Sequence, residues 1–371
     1  MFLLITCPYG TNGILNQELK FFGYKPVDCF ETGSFLQADY KDILKLNLSS
    51  RIASKIYVQL LAWKVCQTFD HLFDAVSNCS REEYLPKNAQ ISISVVSKNS
   101  RLEALGSLQS VSHKAILTKL DQKGNQSEKK TEQVFDIFLH LENDQLSLYL
   151  NTSGKWLHER GYRTQAWEAP LKENLAAALV LMSGRSRKNT LWDPFCGSGT
   201  ICIEAAMIAR NIAPWLQRNF AFQSFMNYNQ TQFEQVRQEH ILASYPNNDY
   251  QIIGTDNDPN IIAIAQENAK RAWVADCITF RRKDILSSDK EEIIWNTKPI
   301  TIVTNPPYGK RLSPTNLQEL YEALLNLSST INTQASIISS YPDFDHLIKN
   351  RRSRKEVRNG ADTCFVRSKK R

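Results

Sequence analysis

The run Ile302-Val303-Thr304-Asn305-Pro306-Pro307-Tyr308-Gly309-Lys310 places two prolines and an aromatic ring directly after an apolar strand. Proline has no N–H for a central ladder and fixes φ at about −65°, so pairing stops there and the backbone holds one shape. The Asn305 side chain, the carbonyls of Pro306 and Pro307 and the Tyr308 ring are then presented beyond the strand end. An exocyclic amino group on a flat base needs such a set: two acceptors for its hydrogens and a ring to stack on. Taken alone, the tetrapeptide also fits a plain proline-rich turn.

Three further features precede it. Asp193-Pro194-Phe195-Cys196-Gly197-Ser198-Gly199-Thr200 reads as a tight glycine turn between a strand and a helix. Gly197 and Gly199 let backbone approach a ligand, and the helix opening after Thr200 favours a negative group. No third glycine follows, since Ile203 stands there, and no P-loop lysine is present, so neither the dinucleotide fingerprint nor a P-loop fits. Gly254-Thr255-Asp256-Asn257 puts a carboxylate at the next strand end, where it can accept both hydroxyls of a ribose. In a dinucleotide site that acid lies roughly 20 residues after the glycine loop. Here it comes much later, so Trp215 to Tyr250 reads as an insertion. In Lys283-Asp284-Ile285, Asp284 can accept an adenine amino group while Ile285 lies against the ring. Asp193, Asp256, Asp284 and Asn305 all fall at the C-terminal strand edge, where open α/β sheets bind ligands.

The elements that must position these residues follow from periodicity. From Glu173 onward helices and strands alternate: helix Glu173–Met182, strand Leu191–Trp192, helix Gly199–Asn211, strand Ile252–Thr255, helix Asn260–Arg271 with Asp258 as cap and Pro259 at its first position, and strands Ile278–Arg282 and Ile300–Thr304. This predicts an α/β fold, a doubly wound and mostly parallel sheet. Residues 1–50 read as a small α+β unit, with strand Phe2–Thr6 and helix Asn12–Phe22. Residues 51–155 read as a second unit, with strands Lys55–Val65 and Ile91–Ser97, helix Ser110–Leu120 and a hairpin turning at Glu142-Asn143-Asp144. Residues 156–170 read as a connector and 171–371 as the last domain. Lys98, Arg101, Lys114, Lys119, Lys129 and Lys130 could line a phosphate-binding face or a solvated surface.

Composition agrees with this picture. The 371 residues are 42% apolar and 22% charged, with a net charge of +7 that leans toward an anionic partner. The eight cysteines form no CxxC pair, which argues against a zinc site and fits a reducing compartment. No apolar run approaches membrane-spanning length and no basic leader precedes Phe2, so a cytoplasmic location is expected.

The glycine turn, ribose acid, adenine acid and Asn-Pro-Pro-Tyr together resemble the S-adenosylmethionine-dependent methyltransferases that act on exocyclic or amide nitrogens. Arg160-Gly161-Tyr162-Arg163, Ala169-Pro170-Leu171-Lys172-Glu173-Asn174-Leu175-Ala176-Ala177-Ala178, Ile203-Glu204-Ala205-Ala206, Asn305-Pro306-Pro307-Tyr308-Gly309-Lys310-Arg311-Leu312 and Arg358-Asn359-Gly360 narrow the likeness. With the glycine turn, they resemble the RlmL-type 23S rRNA guanine-N2 methyltransferases over essentially the whole chain. The resemblance implies a Rossmann-like class I catalytic domain preceded by a ferredoxin-like segment (1–50) and a THUMP RNA-binding domain (51–155). It implies S-adenosyl-L-methionine as cofactor, held by Asp193, Pro194, Phe195, Gly197, Gly199, Thr200, Asp256, Asn257, Asp284, Ile285 and Asn305. Asn305, Pro306, Pro307 and Tyr308 are then catalytic and no metal is used. The implied partner is RNA, either 23S rRNA or a pre-ribosomal large-subunit particle. Some members carry a second methyltransferase half; the chain ends before one, so a single activity is expected. A tRNA guanine-N2 methyltransferase, and a non-catalytic RNA-binding assembly factor with a vestigial cofactor site, are the alternatives. A DNA adenine methyltransferase accounts for the tetrapeptide but not for the N-terminal half.

Overall fold

The computed structural model describes residues 1–79, 83–121, 133–163, 171–184, 189–246, 250–286, 299–307, 314–330, 334–341, 344, 353–360 and 362–369. In the first half the order is β1 (Phe2–Thr6), α1 (Asn12–Phe21), β2 (Asp28–Phe30), β3 (Gly33–Gln37), α2 (Tyr40–Ser49), β4 (Lys55–Val65), α3 (Phe69–Ser77), β5 (Gln90–Lys98), α4 (Leu105–Asp121), β6 (Val134–Glu142) and β7 (Gln145–Asn151). All seven strands form one sheet, ordered β2-β3-β1-β4-β7-β6-β5. Residues 1–50 and 51–155 are joined within it, because β1 pairs antiparallel with β4. The period-two pattern buries Leu3, Ile5, Leu36, Ile56, Val58, Leu139 and Leu148. Caps fix the helix starts: Asp39 and Asp42 form a capping box on α2, and the Thr68 side chain accepts from His71 N at 3.2 Å on α3. Helix α4 begins at Leu105, five residues before the expected Ser110. Gly106 and Ser107 hide that first turn from propensity, but first-turn N–H groups are unpaired in any helix.

The second half continues with α5 (Glu173–Met182), β8 (Thr190–Asp193), α6 (Thr200–Ala209), α7 (Gln230–Leu242), β9 (Ile252–Asp256), α8 (Pro259–Arg271), β10 (Ile278–Arg282), β11 (Ile300–Thr304), α9 (Pro314–Thr330), β12 (Gln334–Ser339), β13 (Ser353–Asn359) and β14 (Asp362–Lys369). Its sheet is ordered β10-β9-β8-β11-β12-β14-β13. The first five strands are parallel; β12–β14 and β13–β14 pair antiparallel. Asp258 caps α8 by accepting from Asn260 N at 2.8 Å, with Pro259 at its first position. Two glycines make room for one ring. A Cβ on Gly254 would stand 2.7 Å from the Phe280 side chain, and one on Gly199 would stand 2.9 Å from it. The mostly parallel sheet expected from the alternation is what forms.

The expected insertion is a clasp between the halves. Phe220, Phe222, Phe225, Phe233 and Val236 are buried in the core of the first sheet, beside Tyr84 and Phe135. Phe222 N donates to Thr152 O at 3.0 Å, and Met226 N to Tyr84 O at 3.0 Å. A second link is ionic. Arg160 Nε lies 3.1 Å from Glu204 Oε1 on α6, while its Nη2 donates to the Arg51 carbonyl at 2.7 Å and its Nη1 to the Leu157 carbonyl at 2.8 Å. Tyr162 OH donates to the same Glu204 oxygen at 3.2 Å. The side chains of Arg160 and Glu204 are 1% and 0% exposed, so removing one charge strands the other without solvent. Glu204→Ala is therefore expected to cost about 3–5 kcal/mol. A urea unfolding midpoint equal to that of the parent would contradict this.

Candidate active site

The C-terminal ends of β8, β9, β10 and β11 border a cavity of about 320 Å³. The loop after β8 supplies Asp193, Pro194, Phe195 and Gly197, and α6 supplies Thr200. The end of β9 supplies Asp256 and Asn257, the end of β10 Asp284 and Ile285, and the end of β11 Asn305 and Pro307. Segments far apart in sequence meet here because consecutive parallel strands end on one edge.

Three expected residues stand apart. Gly199 does not line the cavity; with φ of +85° and the Phe280 ring against it, it serves the turn and the packing behind it. Pro306 is not among the lining residues. Tyr308 lies outside the described residues. The cavity also gathers residues that sequence reasoning did not select: Leu171, Cys196, Ser198, Ile201, Asp258, Ile261, Lys283 and Leu320. Ile201 and Ile261 sit in the first turns of α6 and α8, a position that the strand–helix alternation could have flagged. Leu171 and Leu320 carry no local signal.

Asp193 is 1% exposed, and its Oδ1 accepts from Thr304 Oγ1 at 2.6 Å and from Phe195 N at 3.2 Å. That bond ties the glycine loop to the residue preceding Asn305. Burial pushes the Asp193 carboxyl up to about 7, against the lowering effect of the Thr304 and Phe195 bonds, and the nearby Asp256 adds to the rise. Asp256 Oδ2 accepts from Gly197 N at 3.1 Å and Oδ1 from Asp258 N at 3.1 Å. The carboxylate therefore shapes the loop that it faces. Burial raises its pKa, and those backbone bonds restrain the rise. Asp284 Oδ1 accepts from Leu286 N at 2.9 Å, a local turn that fixes its place at the rim.

The chemistry of the lining fits an adenosine-bearing, amino-acid-tailed ligand. Gly197 has φ of +51°, and a Cβ there would meet no atom within 4 Å, so the backbone faces open cavity. Asn305 Oδ1 is buried and, among the described residues, has no donor. A buried acceptor left open in this way costs about 1–3 kcal/mol until a donor arrives. Behind it, Tyr321 OH donates to the Pro307 carbonyl at 3.4 Å and shares a 2.6 Å bond with Ser339 Oγ. Neither Thr304 nor Tyr321 was singled out in the sequence, yet both brace the tetrapeptide. Of the basic residues considered for phosphate binding, Lys98 pairs with Glu142 at 2.9 Å and Arg101 with Asp144 at 3.7 Å. Lys129 and Lys130 lie outside the described residues.

Residues 160–367 match the family model of the RMKL-like methyltransferase domain, and residues 3–57 match that of the RlmL ferredoxin-like domain. The Bacillus subtilis (strain 168) protein named "Putative RNA methyltransferase YpsC" is 30% identical over 360 residues, covering 95% of this chain and 91% of its own. The Ribosomal RNA large subunit methyltransferase K/L of Shewanella frigidimarina (strain NCIMB 400) is 32% identical over 328 residues, covering 85% of this chain but 45% of its own. The chain thus spans about half the length of the K/L relatives it matches. The crystal structure of SMU.472, complexed with SAH, superposes with a TM-score of 0.90 at 28% identity, covering 100% of this chain and 98% of that one. Among the described residues no helix is long and apolar enough to cross a membrane.

Asp193 gives the site a pH signature. Its folded pKa lies above the unfolded one, so the stability it contributes is full below about pH 4 and is lost as pH rises through about 7. The ligand-free Asp193→Asn variant is expected to lose less thermal stability than the parent between about pH 5 and about pH 8. Parallel melting curves over that range would refute the raised carboxyl.

Proposed function

The chain belongs to the family of RMKL-like methyltransferase domains, here joined to an RlmL ferredoxin-like domain, and on that premise we propose that it methylates the exocyclic N2 of a guanine in 23S rRNA. The observation that carries the reading is the buried Asn305 Oδ1, without a donor among the described residues and beside Pro307 on the wall of the cavity. The cofactor is S-adenosylmethionine, which supplies an electrophilic methyl group on its sulfonium. SAH in the superposable SMU.472 supports this assignment.

Asp256 is given the ribose hydroxyls, Asp284 and Ile285 the adenine, and the backbone around Gly197 the amino-acid tail. Asp193 holds the loop to Thr304 and so sets the distance between cofactor and tetrapeptide. The guanine N2 lone pair is delocalised into the ring and is a poor nucleophile. Asn305 Oδ1 and the Pro306 carbonyl accept its two hydrogens and turn the lone pair out of the ring plane. The Tyr308 ring stacks on the base, an interaction worth about 1–3 kcal/mol. Rate then comes from proximity and orientation. No strong base is required beforehand: as the N–C bond forms and the S–C bond breaks, S-adenosylhomocysteine leaves, and the methylated nitrogen, now acidic, loses its proton to water. A base within a duplex is first unstacked, at a cost of a few kcal/mol. Residues 51–155 are assigned to RNA binding as a THUMP domain.

Incubation with total RNA and labelled S-adenosylmethionine, followed by mass-spectrometric mapping, tests the proposal. N2-methylguanosine in large-subunit rRNA is expected; label confined to tRNA would transfer the assignment to the tRNA enzymes. Asp256→Ala removes both the ribose acceptor and the acceptor for Gly197 N. It is expected to abolish cofactor binding by calorimetry, and an affinity within about threefold of the parent is too small a loss for that role. Asn305→Ala is expected to keep cofactor and RNA affinity but to lose about 10²-fold or more in single-turnover rate. Tyr308→Phe is expected to be nearly silent, since stacking uses the ring. An inactive Tyr308→Phe would give the hydroxyl a chemical role.

A further inference from the structure

A second cavity, of about 650 Å³, opens at the far end of α6 and α8, where the insertion meets the connector after β7. Helix α8 separates it from the active site: Ile261 near its start lines the first cavity, and Arg271 at its end lines the second. The 13 residues of that helix span about 20 Å at ~1.5 Å each. Nothing in the methyl-transfer reading uses this second cavity.

Its lining is polarised in one chemical sense. Trp215 is 3% exposed, and among the described residues its indole N–H has no acceptor. Arg218 stacks on that indole, its guanidinium carbon 4.5 Å from the ring centroid. The buried Nε of Arg237 likewise has no acceptor, although its Nη1 reaches Glu234 at 3.4 Å. Lys155 and Arg271 add positive charge at the rim against the single acid Glu159, Arg271 being shared with Glu267 at 3.5 Å. Neither unsatisfied group can accept a hydrogen bond, so the missing partner brings acceptor oxygens. Beside them Trp273 stands 71% exposed in the left-handed region, at φ of +60°. An indole held in that strained conformation offers a flat face to solvent at the mouth of a cationic cavity.

We infer that this cavity holds an unpaired nucleotide of the substrate RNA, the base on Trp273 and its backbone oxygens toward Trp215 and Arg237. An acidic peptide would satisfy the donors but leaves the indole plane without a purpose. The inference rests on the RNA reading above. It adds a second anchor at the opposite end of α8 from the first cavity. The insertion, which supplies Trp215, Arg218 and Arg237, is then part of substrate recognition.

The full chain and its variants are titrated with a 23S rRNA transcript by filter binding, and 4-thiouridine cross-links are mapped by mass spectrometry. Trp273→Ala and Arg237→Gln are each expected to weaken RNA binding by about tenfold. Cofactor affinity is expected to stay unchanged by calorimetry, which also shows that the fold is intact. Cross-links are expected in the peptides carrying Trp215 or Trp273. A parent that binds no transcript would overturn the RNA reading and this anchor together. A parent that binds, with both variants equal to it and no cross-link here, overturns the anchor alone and leaves the cavity to a protein partner. Displacement of the transcript from this site by guanosine monophosphate at equal nucleotide concentration would make it a free-nucleotide site and also overturn the inference.

Discussion

One buried ion pair sets the relation between the two sheets. Glu204 sits one turn into α6, directly behind the glycine loop from which that helix starts. Arg160 reaches it from the connector and also holds the Arg51 carbonyl of the N-terminal half. Desolvation alone would drive a proton off such a guanidinium, but the Glu204 carboxylate beside it raises its pKa instead. An apolar pair of equal volume could be as stable, but it would tolerate sliding. The fork geometry of the guanidinium does not, so the pitch of α6 and the position of the loop follow from where the N-terminal sheet docks. Arg160 and Glu204 also belong to two of the short motifs that carry the family resemblance. Their role is mechanical.

The active site is built on the same economy. Asp193 and Thr304 lie on neighbouring parallel strands and join the glycine loop to the tetrapeptide by a single 2.6 Å bond. Asp256 holds the loop from the other side through Gly197 N. Tyr321, packed tilted against Tyr341 and edge-on to Phe344, braces Pro307. Few of these groups need to react. The proposed transfer depends on the angle of one lone pair and so requires walls that do not move, and short bonds between buried groups provide them.

Much of this was legible before any coordinates. The strand–helix alternation after Glu173 was plain because each buried strand reads as a continuous apolar run and each helix as a 3.6-residue period. The place of Asp193, Asp256 and Asp284 on one edge of the sheet was legible because strand ends are fixed points in such folds. Gly199 was misleading: its spacing from Gly197 suggested ligand contact, but the Phe280 ring, 81 positions away, claims it. Only packing could show that. Thr304 and Leu320 were hidden for the same reason, as ordinary core residues whose importance lies in what adjoins them. The insertion was recognised from spacing alone, but the six aromatic and aliphatic side chains it buries in the first core (Trp215, Phe220, Phe222, Phe225, Phe233 and Val236) gave no hint of which core they would enter. Long-range partners are not written in local pattern.

That clasp imposes an order of events on synthesis. The first sheet is encoded by residue 151, yet Phe220, Phe222, Phe225, Phe233 and Val236, which seal its core, are encoded much later. At about 5–20 residues per second, the nascent sheet waits roughly 4–17 s before Val236 follows Asn151 off the decoding centre. Over that interval an apolar face stands uncovered on a growing chain, a natural client for chaperones that shield hydrophobic surface. A polypeptide terminated within that window would carry every strand of the N-terminal sheet and still lack the means to close it.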